Sequence, residues 1–196
     1  MNLLKGVLAK FKKRNPVLQE FHFRQALLAL GISGGLVEID HHNGTCWHKK
    51  VGHVPLVFAE AWIEKARAFS TTKTQDYYFR GVISPGREWL AEYSDVKESR
   101  YGRSSSTKYQ LDRGYFEGLS ASRFGLAPVG DCPWSYRFFE AIICQAIPII
   151  GEADNDVFSS GFHFLRHGSE HQYDENLCDE NYATLVAKHT LRGIGY

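Results

Sequence analysis

One stretch constrains this chain more than any other. Ser122 to Ile150 reads S-R-F-G-L-A-P-V-G-D-C-P-W-S-Y-R-F-F-E-A-I-I-C-Q-A-I-P-I-I. Arg123 to Ala127 is short and apolar, as a buried strand is. Pro128, Gly130, Asp131 and Pro133 then make a loop. From Trp134 to Cys144, Phe138, Ala141, Ile142 and Gln145 recur at helical spacing, with Pro133 just ahead of the start. Ile147 to Ile150 is apolar again and long enough only for a strand. Strand, loop, helix and strand in this order predict a parallel, right-handed crossover of a doubly wound sheet.

Ligands of such sheets sit outside the carboxyl ends of the strands, where loop meets helix. That position holds Gly130, Asp131, Ser135, Tyr136, Arg137 and Glu140. A helix N-terminus presents free N–H groups and a positive dipole end to a phosphate. Ser135 adds a hydroxyl and Arg137 a forked cation for a diphosphate, while Glu140 can accept from ribose hydroxyls. A plainer assignment has Ser135 capping the helix and Arg137–Glu140 forming a surface ion pair.

The stretch resembles the sugar-nucleotide signature of the exostosin family, the family 47 glycosyltransferases. The matching positions are Ser122, Phe124, Leu126, Pro128, Gly130-Asp131, Ser135, Arg137, Glu140-Ala141 and Ile147-Pro148. Upstream, Phe79-Arg80-Gly81 followed by Arg87 is similar to a second segment of that family, so the likeness spans roughly residues 76 to 165. Gln145 departs from it, standing where the family leaves the helix on glycine. The resemblance implies a donor site for a nucleotide sugar, UDP-linked, with Arg80 and Arg87 aimed at the diphosphate. It also implies metal-independent sugar transfer, with no cofactor beyond the donor, to a glycan or lipid-linked acceptor.

The rest of the chain bounds this reading. A hydrophobic fraction of 43% with 14% aromatics supports a real core, and a net charge of +1 gives no field for nucleic acid. No run of eighteen apolar residues and no leader-like core occurs, and the four cysteines are unclustered. A cytoplasmic protein with reduced thiols is expected. Leu3, Leu4, Val7, Leu8 and Phe11 share one helical face among five basic residues in Met1 to Arg14. This segment suits either packing on the body or a peripheral contact with an anionic membrane.

Helices are predicted at Val17–Leu30, Leu56–Phe69, Tyr109–Leu119 and Asp179–Arg192, and another from the Ser84-Pro85-Gly86 turn through Tyr93. Strands are predicted at Leu36–Asp40, Tyr77–Ile83 and near Phe162–Leu165. Asn43-Gly44 signals a hairpin turn. Asp40, His41, His42, Cys46, His48 and His53 are close in sequence, but their spacings match no zinc pattern, so no metal is expected. Asp40, His41 and His42 are instead candidates for the general base that deprotonates an acceptor hydroxyl. His163, His167 and His171 carry no pattern that assigns them a role.

The expected fold is α/β, a Rossmann-like, mostly parallel sheet of about five or six strands with helices on both faces. It resembles the donor-binding half of a GT-B glycosyltransferase. Residues 71–196 would form the nucleotide-sugar domain and 1–70 a smaller helical and αβ segment, too short for a second domain of ~100 residues. Two functions follow: a glycosyltransferase, or a nucleotide-sugar-binding subunit whose acceptor side comes from a partner chain or a second copy.

Overall fold

The segments 75–81, 122–126 and 147–150 have the strand character read above, and they lie side by side in a parallel sheet. The structure, a computed structural model, describes residues 18–93, 96–98, 111–129, 133–152, 154 and 160–196. The chain starts there with helix α1 (Leu18–Ala29) and an antiparallel sheet of β1 (Val37–Asp40), β2 (Thr45–His48) and β3 (Gly52–Pro55). Then follow α2 (Glu60–Arg67), β4 (Gln75–Gly81), a 3₁₀ turn (Glu88–Glu92) and β5 (Val96–Glu98). The remainder is α3 (Arg113–Ser120), β6 (Ser122–Leu126), α4 (Tyr136–Ile143), β7 (Ile147–Ile150), β8 (Leu165–Arg166) and α5 (Glu175–His189).

The larger sheet has the order β5-β4-β6-β7-β8, and every neighbouring pair is parallel. The fold is therefore α/β and Rossmann-like. Tyr78, Phe116, Leu119, Ile142 and Leu185 belong to the core that joins α2, α3, α4 and α5 to one face. On the other face Phe79, Phe124, Leu126, Ile147 and Ile149 pack with Leu90 of the 3₁₀ turn and Cys178 of α5. Phe79, Leu126, Ile142 and Ile149 are among the largest side chains with essentially no exposure. Burying each contributes roughly 1.5–3 kcal/mol.

Pro148 stands inside β7, where a missing N–H would break a ladder. Ala127 N donates to Ile149 O at 2.8 Å and His167 N to Ile150 O at 2.8 Å, so successive β7 residues face opposite neighbours. Pro148 therefore faces β8, which pairs only with Ile149 and Ile150. No ladder bond is lost.

The N-terminal segment differs from expectation in two ways. It forms a separate antiparallel sheet with its own small core, Phe23, Leu27, Val54 and Val57, closed by Leu191 from beyond α5. And α2 begins at Glu60, not Leu56, because Leu56 N and Phe58 N donate to Gly44 O (2.6 Å) and His189 O (2.7 Å). Those long-range bonds hold 56–59 extended behind Pro55. Similarly, α5 begins four residues early, since Asp174 caps it by accepting from Asn176 N at 2.8 Å. The expected helix after Gly86 is the short 3₁₀ turn.

The amphipathic segment 1–14 lies outside the described residues, as does most of the polar 94–107 loop. No helix among the described residues is long and apolar enough to cross a membrane. Cys46, Cys144 and Cys178 are buried.

Candidate functional site

In chain order the parallel strands run β4, β5, β6, β7, β8, so the chain steps to one side of β4 and then returns to the other. The order reverses between β4 and β6. Their carboxyl ends, Gly81 and Leu126, flank the crevice where ligands bind in sheets of this kind. Helix α4 starts beside it.

Ser135 precedes α4 in extended conformation (φ −133°, ψ 136°), and its Oγ accepts from Arg137 N at 3.3 Å. The hydroxyl is thus the helix cap of the plainer assignment. Arg137 reaches across to β4. Its guanidinium carbon lies 5.0 Å from the centre of the Phe79 ring, and Nη2 approaches Arg80 O only at 3.5 Å. A Cβ on Gly81 would come within 2.5 Å of Nη2, so glycine there makes room for the guanidinium. Arg137 Nε is buried and has no hydrogen-bond partner. Among the described residues no carboxylate pairs with Arg137. A buried cationic donor without an acceptor costs 1–3 kcal/mol or more, a cost that a bound anion would remove.

The other two arginines expected at the site, Arg80 and Arg87, have protein partners. Arg80 Nη1 lies 3.3 Å from both carboxylate oxygens of Asp112, the residue that caps α3 by accepting from Tyr115 N at 3.1 Å. Arg87 Nε donates to Val129 O at 2.9 Å and Nη1 to Val82 O at 3.4 Å, tying the turn after β4 to the loop after β6. Gly130 and Asp131 lie outside the described residues.

Two residues that sequence reasoning missed complete this edge. Asp154 Oδ2 accepts from Gly151 N at 2.8 Å and from Val129 N at 3.3 Å, joining the loops after β7 and β6. Arg166 Nη1 donates to the carbonyls of Gly151, Glu152 and Asp154 at 3.3, 3.0 and 3.0 Å. The available signal was an aspartate three residues after a strand-ending glycine, a turn-forming arrangement.

Glu140 is fully buried and accepts from Tyr115 Oη at 2.9 Å, so it is not half of a surface pair with Arg137. Tyr136 turns toward the N-terminal segment, with its ring 4.9 Å from Trp134 and 6.0 Å from Phe58, both edge-on.

The β1–β2 turn abuts the loop that enters α4. Trp134 Nε1 donates to His41 O at 2.8 Å. Gly44 takes the left-handed conformation (φ 58°) that the Asn43-Gly44 signal anticipates. Asp40 accepts from His42 N (3.0 Å), Asn43 N (2.9 Å) and Asn43 Nδ2 (2.8 Å). The Asn43 bonds, first the backbone one and then the side-chain one, hold its carboxyl below the usual range. So engaged, Asp40 is a poor proton acceptor, which leaves His41 and His42 as base candidates. Among the described residues no group of three or more His, Cys, Asp or Glu is placed to hold a metal.

His167 and His171 do have structural roles. Tyr93 Oη lies 3.1 Å from His167 Nδ1 and Tyr77 Oη 3.1 Å from His171 Nδ1, and the Trp89 ring stacks on His167 at 5.1 Å. They fasten β4 and the end of the 3₁₀ turn to the segment after β8.

Neither protein-family models nor curated proteins yield a match to this chain.

Proposed function

We propose that the carboxyl edge between β4 and β6 binds the diphosphate of a nucleotide sugar, UDP-linked, and that the protein is a metal-independent glycosyltransferase. One observation carries this reading. Arg137, at the first turn of α4, holds a buried guanidinium N–H with no protein acceptor beside the strand ends. Arg137 and the helix N-terminus stabilise charge on the departing diphosphate, with no ion needed for that task. His41 or His42, on the turn that abuts Trp134, takes the proton from the acceptor hydroxyl of a glycan or glycolipid. This reading goes with a cytoplasmic protein that touches membranes peripherally through residues 1–14.

Calorimetric titration with UDP, with and without EDTA, tests the donor site. Hydrolysis and transfer from a panel of UDP-sugars test the reaction. Absence of UDP binding, or its abolition by EDTA, overturns the metal-free site.

A second reading has one observation in its favour. Residues 37–55 form an antiparallel meander, not a second parallel α/β unit to face the first. The protein would then bind the donor as a subunit completed by a partner chain or a second copy. UDP binding without turnover of any UDP-sugar distinguishes it.

A further inference from the structure

The opposite, amino edge of the parallel sheet carries a cleft of about 880 Å³, a volume typical of small-molecule sites. It lies between the 70–73 loop ahead of β4, Arg123 at the start of β6, Gln145 after α4, and residues 172–179 at the start of α5. It is therefore remote from Arg137, which sits at the other end of α4.

The chemistry of its lining selects a ligand. Its charges are largely engaged within the protein: Arg123 pairs with Asp76 at 2.7 Å, Asp174 accepts from Asn176 N, and Asp179 accepts from Gln145 Nε2 at 3.0 Å. Lys73 Nζ donates to Ser120 O (2.9 Å), at the end of α3, and Cys144 O (3.0 Å), just past α4, which leaves one N–H. The hydroxyls of 70–72 and the side-chain amides of Gln172 and Asn176 supply paired donors and acceptors along the wall. Tyr173 adds an aromatic surface. The lining mixes apolar surface with polar groups in similar measure, as the two faces of a sugar ring require, and a polyanion meets Asp174, Glu175 and Asp179. Hydroxyl groups, each a donor and an acceptor at once, match this wall.

We propose that the amino-edge cleft is a binding site for a neutral oligosaccharide. The inference does not rest on the donor reading, and its test contains no nucleotide, so the two can fail separately. Gln172 and Asn176 are exposed, so replacing them leaves the core untouched.

Saturation-transfer NMR and calorimetry with maltohexaose, cellohexaose and xylohexaose test the proposal, with a heparin-derived hexasaccharide as the charged counter-probe. At least one neutral hexasaccharide should bind, and the double variant Gln172→Ala/Asn176→Ala should weaken it about tenfold or more, as loss of two hydrogen bonds implies. Circular dichroism of the double variant should match the parent. Lack of binding by all three at millimolar concentration, binding of the heparin fragment alone, or binding unchanged in a folded double variant would each overturn it.

Discussion

Trp134 and His41, 93 residues apart, share a hydrogen bond of 2.8 Å between indole N–H and backbone carbonyl. Through it the N-terminal hairpin is anchored to the loop that starts α4. Trp134→Phe keeps an aromatic ring in the site but strands the carbonyl. The expected loss is about 1–2 kcal/mol of stability, read as a lower urea midpoint. An unchanged midpoint would mean that this bond holds nothing in place.

Arg137→Ala should weaken UDP by roughly ten- to hundred-fold, the value of a charge-assisted contact of ~1.5–3 kcal/mol. Arg113→Ala is the control, since that side chain is 80% exposed and paired only with Glu117. It should change affinity less than about two-fold, because exposed pairs are screened. Similar losses in both variants would move the site away from α4.

The Tyr115–Glu140 contact is buried and predicts strong coupling. Tyr115→Phe, Glu140→Gln and the double variant form a cycle whose interaction term should reach about 1–3 kcal/mol in denaturant unfolding. If Glu140 also holds ribose, Glu140→Gln should weaken UDP more than its 2′,3′-dideoxy analogue. Equal losses for the two nucleotides leave Glu140 with a structural role alone.

Gln145 has φ 56°, the left-handed region that favours glycine. Gln145 N donates to Ile142 O at 3.0 Å and Ala146 N to Ala141 O at 2.9 Å, the bonds of a Schellman ending. Gln145→Gly should raise stability by about 1 kcal/mol through relief of backbone strain. Its side-chain bond to exposed Asp179 offsets little. A fall in melting temperature would contradict this.

Burial depresses the Lys73 ammonium from 10.5 to about 8. The unfolded chain therefore binds more protons between those values, so this group's contribution is full above pH 10.5 and lost as pH falls through 8. Against Lys73→Met, the parent should gain relative stability as pH rises from 8 to 10.5. Using the difference cancels Cys46, whose thiol burial pushes up to about 11 and which acts in the opposite sense. A flat difference across that window would place the amine in water.

Much of the central unit was legible in the sequence, because its signals are local. The apolar run Ile147–Ile150 is β7 to the residue, and Ser135 caps where proline and serine say a helix begins. What was hidden depends on distant partners. The sequence at 56–59 looks helical until the carbonyls of Gly44 and His189 accept from Leu56 N and Phe58 N. Glu140 reads as a ribose acceptor or as half of a surface ion pair, and its bond to Tyr115, 25 positions away, belongs to neither reading. Asp154 and Arg166 acquire their roles where loops from different strands cross, which no spacing within one segment reveals.

The orientation of Pro148 has a consequence for assembly. Edge strands invite pairing with other chains through unused N–H and C=O groups. On the β8 side the sheet ends in a two-residue strand, and Pro148, which precedes the β7 residues paired with it, is buried and has no hydrogen to donate. A strand from another molecule finds no continuous ladder to extend along this border. Along this border, strand addition is limited to the two residues of β8.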